Sequence, residues 1–246
     1  MKTAYLLLWI LGIAGYTMAQ EVEETPQRLN TIKIEFTQPL YPNSFVLSYE
    51  RVTKPNQSFC VTGGYEEFPN LVSLGDRINL RKNLDKGGFK VGGEYRFYLA
   101  KENKFKAPRG VYVGPYVSFH DYNNRRDISV DVDGNPEDVT LSTDFQILNI
   151  GFELGYQFVI NNRWSLDFVV VGPSVSNYRA KIKLDGEYTF DKEDIQNEII
   201  LKLLDRFPLL EDVLTDKEVS SNGVLDSWAY GWRYQLLVGY HFGRKK

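Results

Sequence analysis

Ser118 and His120 stand two residues apart, with Asp121 beside them. In a strand, residues i and i+2 share a face, so the hydroxyl and the imidazole sit side by side. Such a pair can attack an acyl ester: the imidazole takes the hydroxyl proton while a carboxylate fixes the ring. The spacing supplies no carboxylate for that third role, and a structural serine beside a histidine is the plainer account. Other catalytic and metal chemistry is poorly provided for. Cys60 is the single cysteine and His120 and His241 the two histidines, which excludes a disulfide framework and leaves little for a metal. Asp131-Val132-Asp133-Gly134-Asn135 has the first two acids of a calcium loop but lacks the third and the distal glutamate. A hairpin turning at Asp133-Gly134 fits it better. A net charge of -3 gives no case for a nucleic-acid partner. No catalytic set, metal or cofactor is therefore assigned.

The remaining charged residues of interest are Glu50, Glu94, Glu153 and Asp167 with Arg96 and Arg233. What they can do depends on the elements that carry them. With 43% hydrophobic and 25% charged residues, the chain is a folding one and not a disordered one. Its dominant pattern is alternation of period two, the mark of strands with unlike faces. Eight segments show it: 31–36, 45–52, 58–65, 89–99, 110–120, 145–159, 164–178 and 228–242. In 89–99, for example, Phe89, Val91, Tyr95 and Phe97 oppose Lys90, Gly92, Glu94 and Arg96. The connections 53–57, 100–109 and 160–163 are short; 66–88, 121–144 and 179–227 are long. In an up-and-down barrel alternate connections lie at opposite ends. The lengths thus predict an all-β, eight-stranded antiparallel barrel with tight turns at one rim and large loops at the other, the pattern of outer-membrane barrels.

Alternation alone does not say which face points out. Small residues interleaved with charges of both signs suit a crowded interior in which each charge has a partner. The expected arrangement therefore turns the apolar face to lipid. It gathers Glu50, Glu94, Arg96, Glu153, Asp167 and Arg233 into an ion-pair network that fills the lumen. Tyr65, Trp164, Tyr178, Trp228 and Tyr230 lie toward segment ends, where interfacial girdles need amphipathic rings. Residues 1–19 read as a cleaved export signal: Lys2, an apolar run over 4–16, and small residues at Thr17 and Ala19. Residues 20–246 are then the barrel. Its last long loop carries a helical insert at about 191–214, with acids near the helix start and Ile195, Ile199, Ile200, Leu203 and Leu204 on one stripe. This stripe can pack on the barrel and its loops, cap its mouth, meet a partner or lie on the outer leaflet, although Asp191, Glu193, Asp194 and Glu198 argue against a lipid surface.

Asn30–Phe36, Phe45–Arg51, Ser58–Tyr65, Gly93–Tyr98, Ala107–Phe119 and Leu237–Phe242 together resemble the small outer-membrane β-barrel proteins common in Bacteroidota, OmpA-like in their transmembrane part. The resemblance implies residence in the outer membrane and carries no catalytic residues. The first reading is accordingly a non-porous outer-membrane barrel, in contact with outer-membrane lipid, with a structural or interaction role through its extracellular loops. The second is an enzyme of outer-leaflet lipid, a lipid A acyl hydrolase working through Ser118 and His120. The third is a soluble secreted barrel that holds an apolar ligand.

Overall fold

The computed structural model describes residues 28–36, 44–67, 77–103, 105–204 and 224–243, and the side chains of 200–204 lie outside that description. The expected export signal at 1–19 and the end of the expected insert, 205–214, also fall outside it. Eight strands run in chain order: β1 (Asn30–Glu35), β2 (Phe45–Lys54), β3 (Gln57–Tyr65), β4 (Ile78–Tyr98), β5 (Gly110–Val132), β6 (Asn135–Ile160), β7 (Trp164–Asp185) and β8 (Val224–Phe242). Each pairs antiparallel with the next, and β8 pairs with β1 to close the barrel. Two of the turns are set by residues that tolerate positive φ. Asp133 and Gly134 join β5 to β6, and Asn161 and Asn162 join β6 to β7. The hairpin reading of 131–135 is thus the one the structure adopts.

The register fixes the shape. From Val238 the pairing passes through Ile34, Leu47, Gly63, Val91, Phe119, Leu148 and Asn177, and returns to β8 at Trp228, ten residues up the strand. Eight strands with that stagger tilt about 40° from the barrel axis. The expected faces hold. Ile32, Val61, Val91, Val117, Phe152 and Trp232 are exposed on the outside, and Lys33, Glu50, Arg96, Glu153 and Asp167 are buried inside.

Strands β4 to β8 run past the segments that the sequence pattern marks. In β5 to β8 the apolar face changes sides along the strand, while the upper part of β4 is exposed over residues 79–85, Leu80 and Leu84 included. Low in β5, Val113 and Val117 face outward; higher up, Ile128 and Val130 are buried inside while Arg125 is exposed. In β6, Phe152 and Leu154 face out, and Val139, Leu141 and Phe145 face in. In β7 the inward set is Ala180, Ile182 and Leu184. The swap falls close to one hydrogen-bonded row, Phe89, Asp121, Gln146, Arg179 and Asp226. Alternation persists through it, but its phase inverts, so a single-phase reading ends each strand there.

One residue of the expected girdle is corrected. Tyr178 is 7% exposed and packs inside against Phe145. The cause is a β-bulge in β7: Val169 pairs with Gln235 and Gly172 with Arg233, so one extra residue is accommodated there. The inward set changes parity from Ser165, Asp167 and Val169 to Ser174, Ser176 and Tyr178. The blurred alternation at 169–171 is the trace of this bulge.

The helix α1 (Lys192–Leu204) places Glu193 and Asp194 in its first turn, where they suit the helix dipole. Ile195 and Ile199 are buried with Ile128, Leu141, Ile182 and Leu184 in one apolar core. Gln196 donates to the carbonyl of Ile182 at 2.9 Å. Of the placements open to the insert, its described part takes packing on its own barrel, against the inner face of the β4–β8 extension.

Candidate functional site

The alternation of six strands, β1, β2, β4, β6, β7 and β8, aims the charged side chains at one level of the interior. Arg96 on β4 is the hub. Its Nη1 donates to Asp167 Oδ2 at 2.6 Å and to Gln157 Oε1 at 3.2 Å. Its Nε lies 3.4 Å from Glu153 Oε1, its Nη2 pairs with Glu94, and the guanidinium stands 4.1 Å over the Tyr112 ring. Arg233 on β8 bridges Glu94, at 2.7 Å, and Glu153, and covers the Tyr116 ring at 3.8 Å. Tyr112 donates to Asp167 Oδ1 at 2.6 Å, and Tyr98 and Ser58 donate to Glu50 at 2.8 and 2.6 Å.

All six residues expected in the network come together. A seventh was not assigned to it: Lys33, whose Nζ reaches Asp167 at 2.5 Å, Glu50 at 2.8 Å and Gln157 at 2.9 Å. Its signal was its place on the polar face of the first strand, opposite Ile32 and Ile34. Four carboxylates thus share three cations. Charges removed from water are tolerable only with this density of pairing and hydrogen bonding. Glycine leaves room for it: a Cβ at Gly155 would stand 2.3 Å from the Tyr112 hydroxyl, and one at Gly239 would stand 2.5 Å from Ser165 Oγ and 2.9 Å from Lys33 Cγ. Side chains occupy the cross-section at this level.

Above the ionic layer the groups are neutral. Asn149 donates to Ser118 Oγ at 3.0 Å, Ser176 donates to Asn149 at 2.6 Å, and Ser174 and Ser176 are 2.9 Å apart. A rim cluster follows. His120 Nδ1 lies 2.7 Å from Glu66 Oε2, Tyr122 donates to the same oxygen at 2.7 Å, and Lys90 joins Glu35 at 2.9 Å and Glu66 at 3.6 Å. Ser118 and His120 share the inner face, yet their bonds run to different partners: the hydroxyl to Asn149, the ring to Glu66. Asp121 falls on the opposite face by alternation. The carboxylate that holds His120 comes from beyond the end of β3, a contact no local spacing could reveal.

Glu66 gives the rim a pH dependence. Burial opposes its ionisation. The hydrogen bond from His120, the Lys90 ammonium, the charge on His120 and the Tyr122 hydroxyl outweigh burial and hold its carboxyl at about 2. A folded pKa below the unfolded value adds stability above the unfolded pKa, and that stability is lost as pH falls from about 4.5 toward 2. In that window the backbone amides around Tyr122 are expected to lose hydrogen-exchange protection. Glu66→Gln should lower their protection at pH 7 and flatten its acid dependence; an unchanged acid profile would refute the assignment.

The outward aromatics form two groups. Trp164 is 53% exposed near the short-turn rim, edge-on to Tyr240 with ring centroids 5.3 Å apart. Tyr65, Trp228 and Tyr230 are exposed near the upper limit of the apolar belt. Among the described residues no group of three or more His, Cys, Asp or Glu is arranged to hold a metal ion.

A family model described as a protein of unknown function, DUF3575, matches residues 54–199. No curated protein matches the chain. Among solved structures, the chain is similar to a major outer membrane protein from Thermus thermophilus, with 11% identity, a TM-score of 0.37, and coverage of 87% of this chain and 99% of that one.

Proposed function

The chain belongs to the DUF3575 family of proteins of unknown function, and from that premise we propose that it is a small, non-porous barrel of the outer membrane. Its role in this reading is structural or interaction-based, exercised through the long-loop end and the α1 insert toward a protein partner. The observation that carries the reading is the phase inversion. Below the row Phe89–Asp226 the strands turn apolar side chains outward and ionised ones inward; above it they turn Ile128, Leu141 and Ile182 inward and Arg125 and Lys181 outward. A chain surrounded by water at all heights has no reason to invert. A chain leaving hydrocarbon for water must, since backbone closure and apolar exposure are both demanded inside the bilayer. The charged lumen likewise suits neither an apolar ligand nor a water-filled channel. Export through a signal at 1–19 accords with this location.

Fractionation tests it. The expressed full chain is expected in the outer-membrane fraction, released only by detergent. Its unheated band should migrate apart from the boiled one. Recovery from the soluble fraction without detergent overturns the proposal.

A further inference from the structure

The charge of this barrel is not spread evenly. Around the short-turn rim the described residues include Arg28, Arg51, Lys54, Lys101, Lys106, Arg109 and Arg163, with Glu102 as the only acid. The chain as a whole carries -3, and acids outnumber bases at the other end. Nor do the flanking segments cancel the excess. Glu21, Glu23 and Glu24 before Arg28 are matched by Arg244, Lys245 and Lys246 after Gly243.

These cations are built into the edge of the apolar belt. Arg163 adjoins the exposed Trp164 and donates to the Tyr240 hydroxyl at 2.9 Å. Arg51 donates to Asn30 Oδ1 at 2.9 Å, an oxygen that also accepts from Tyr49 at 2.7 Å. Lys54 precedes the two-residue turn into β3 at Gln57. Arg51, Lys54, Lys101 and Arg163 are exposed, and none has a carboxylate within 4.0 Å among the described residues. Turns this short hold the charges within a few residues of the last belt side chain, at the depth where headgroups lie.

We propose, on the basis of the membrane reading above, that this rim is a binding surface for anionic phospholipid headgroups of the adjoining leaflet. The placement favours lipid over a polyanion lying farther off, because the charges ring the belt and do not project beyond it. A basic residue near an anionic membrane surface contributes about a fivefold preference at moderate salt, and the effect fades as the Debye length shrinks.

The test uses the full chain refolded into nanodiscs of phosphatidylcholine and phosphatidylglycerol in equal amounts. Lipids retained by the ejected protein are counted by native mass spectrometry. The chain is expected to keep phosphatidylglycerol over phosphatidylcholine by at least about tenfold, and by much less when prepared in roughly 0.5 M salt. The variant R51Q/K54Q/K101Q/R163Q should lose the preference while keeping its heat-modifiable band. The variant R81Q/K82Q/R179Q/K183Q, altered at the long-loop end, should keep both. Equal retention of the two lipids by the natural chain overturns the inference, as does loss of preference in the long-loop variant alone. A chain that enters neither lipid defeats the membrane reading itself, and so is told apart from failure of the inference.

Discussion

Arg96→Leu is expected to cost the barrel about 3–5 kcal/mol, a large share of a folded domain's stability, and so to lower sharply the denaturant concentration that its folded band survives. The magnitude comes from what is left behind. Removing this guanidinium leaves Lys33 and Arg233 to serve Glu50, Glu94, Glu153 and Asp167, and strips Asp167 of a bond of 2.6 Å. An unpaired buried carboxylate loses its hydration and gains nothing in return. Arg233→Leu should cost less, because Arg96 still reaches Glu94 and Glu153. The denaturant concentration at which the heat-resistant band disappears measures both. Adding Asp167→Asn to Arg96→Leu should recover part of the loss, since it removes one of the charges left without a partner. An Arg96→Leu chain as resistant as the natural one would show that the interior does not depend on ionic pairing.

Much of this arrangement can be read from the sequence, for physical reasons that also explain what cannot. Period-two alternation puts Glu50, Arg96, Glu153 and Asp167 on the face opposite their neighbours Tyr49, Phe97, Phe152 and Leu166, and the need of each charge for a partner turns that face inward. Which of them touch is another matter. The ten-residue stagger between Val238 and Trp228 brings Arg233 to Glu94 across 139 residues of chain, and Lys33 to Asp167 across 134. A pattern within one strand holds no information on that stagger. Glu66 meets His120 for the same reason, while the adjacent Asp121 faces away. The long upper strands are hidden differently. Val130 and Ile182 are apolar at inward positions where the lower strand has polar groups, so the periodicity breaks phase at the point where the surroundings change. The bulge at Val169–Gly172 adds a second phase shift, and Tyr178 is misread with it. Where environment and register are uniform the sequence speaks plainly; where either changes, a single-phase reading fails by one residue.

Val61→Arg separates a lipid-facing wall from a water-facing one. Val61 lies midway along β3 (Gln57–Tyr65) and is 54% exposed. It pairs with Tyr49 on one side and Gly93 on the other, so a longer side chain meets no bulky opposing group on the β4 side. On a protein surrounded by water this substitution should be within about 0.5 kcal/mol of neutral, because an exposed valine contributes little and an arginine is readily hydrated. In a bilayer, arginine near the midplane of a barrel wall costs about 2–4 kcal/mol, falling toward zero at the interfaces. The depth dependence makes the measurement specific. Phe45→Arg, at the loop-end start of β2 where headgroups lie nearby, should cost much less of this depth-dependent term than Val61→Arg when both are unfolded from vesicles. In detergent micelles, where the apolar layer is thin and deformable, the difference between them should shrink. Equal and negligible costs at both sites in vesicles would mean that the apolar belt does not face hydrocarbon. A larger cost at Val61 ties the outward valines and phenylalanines, and the inward charges they alternate with, to a single cause.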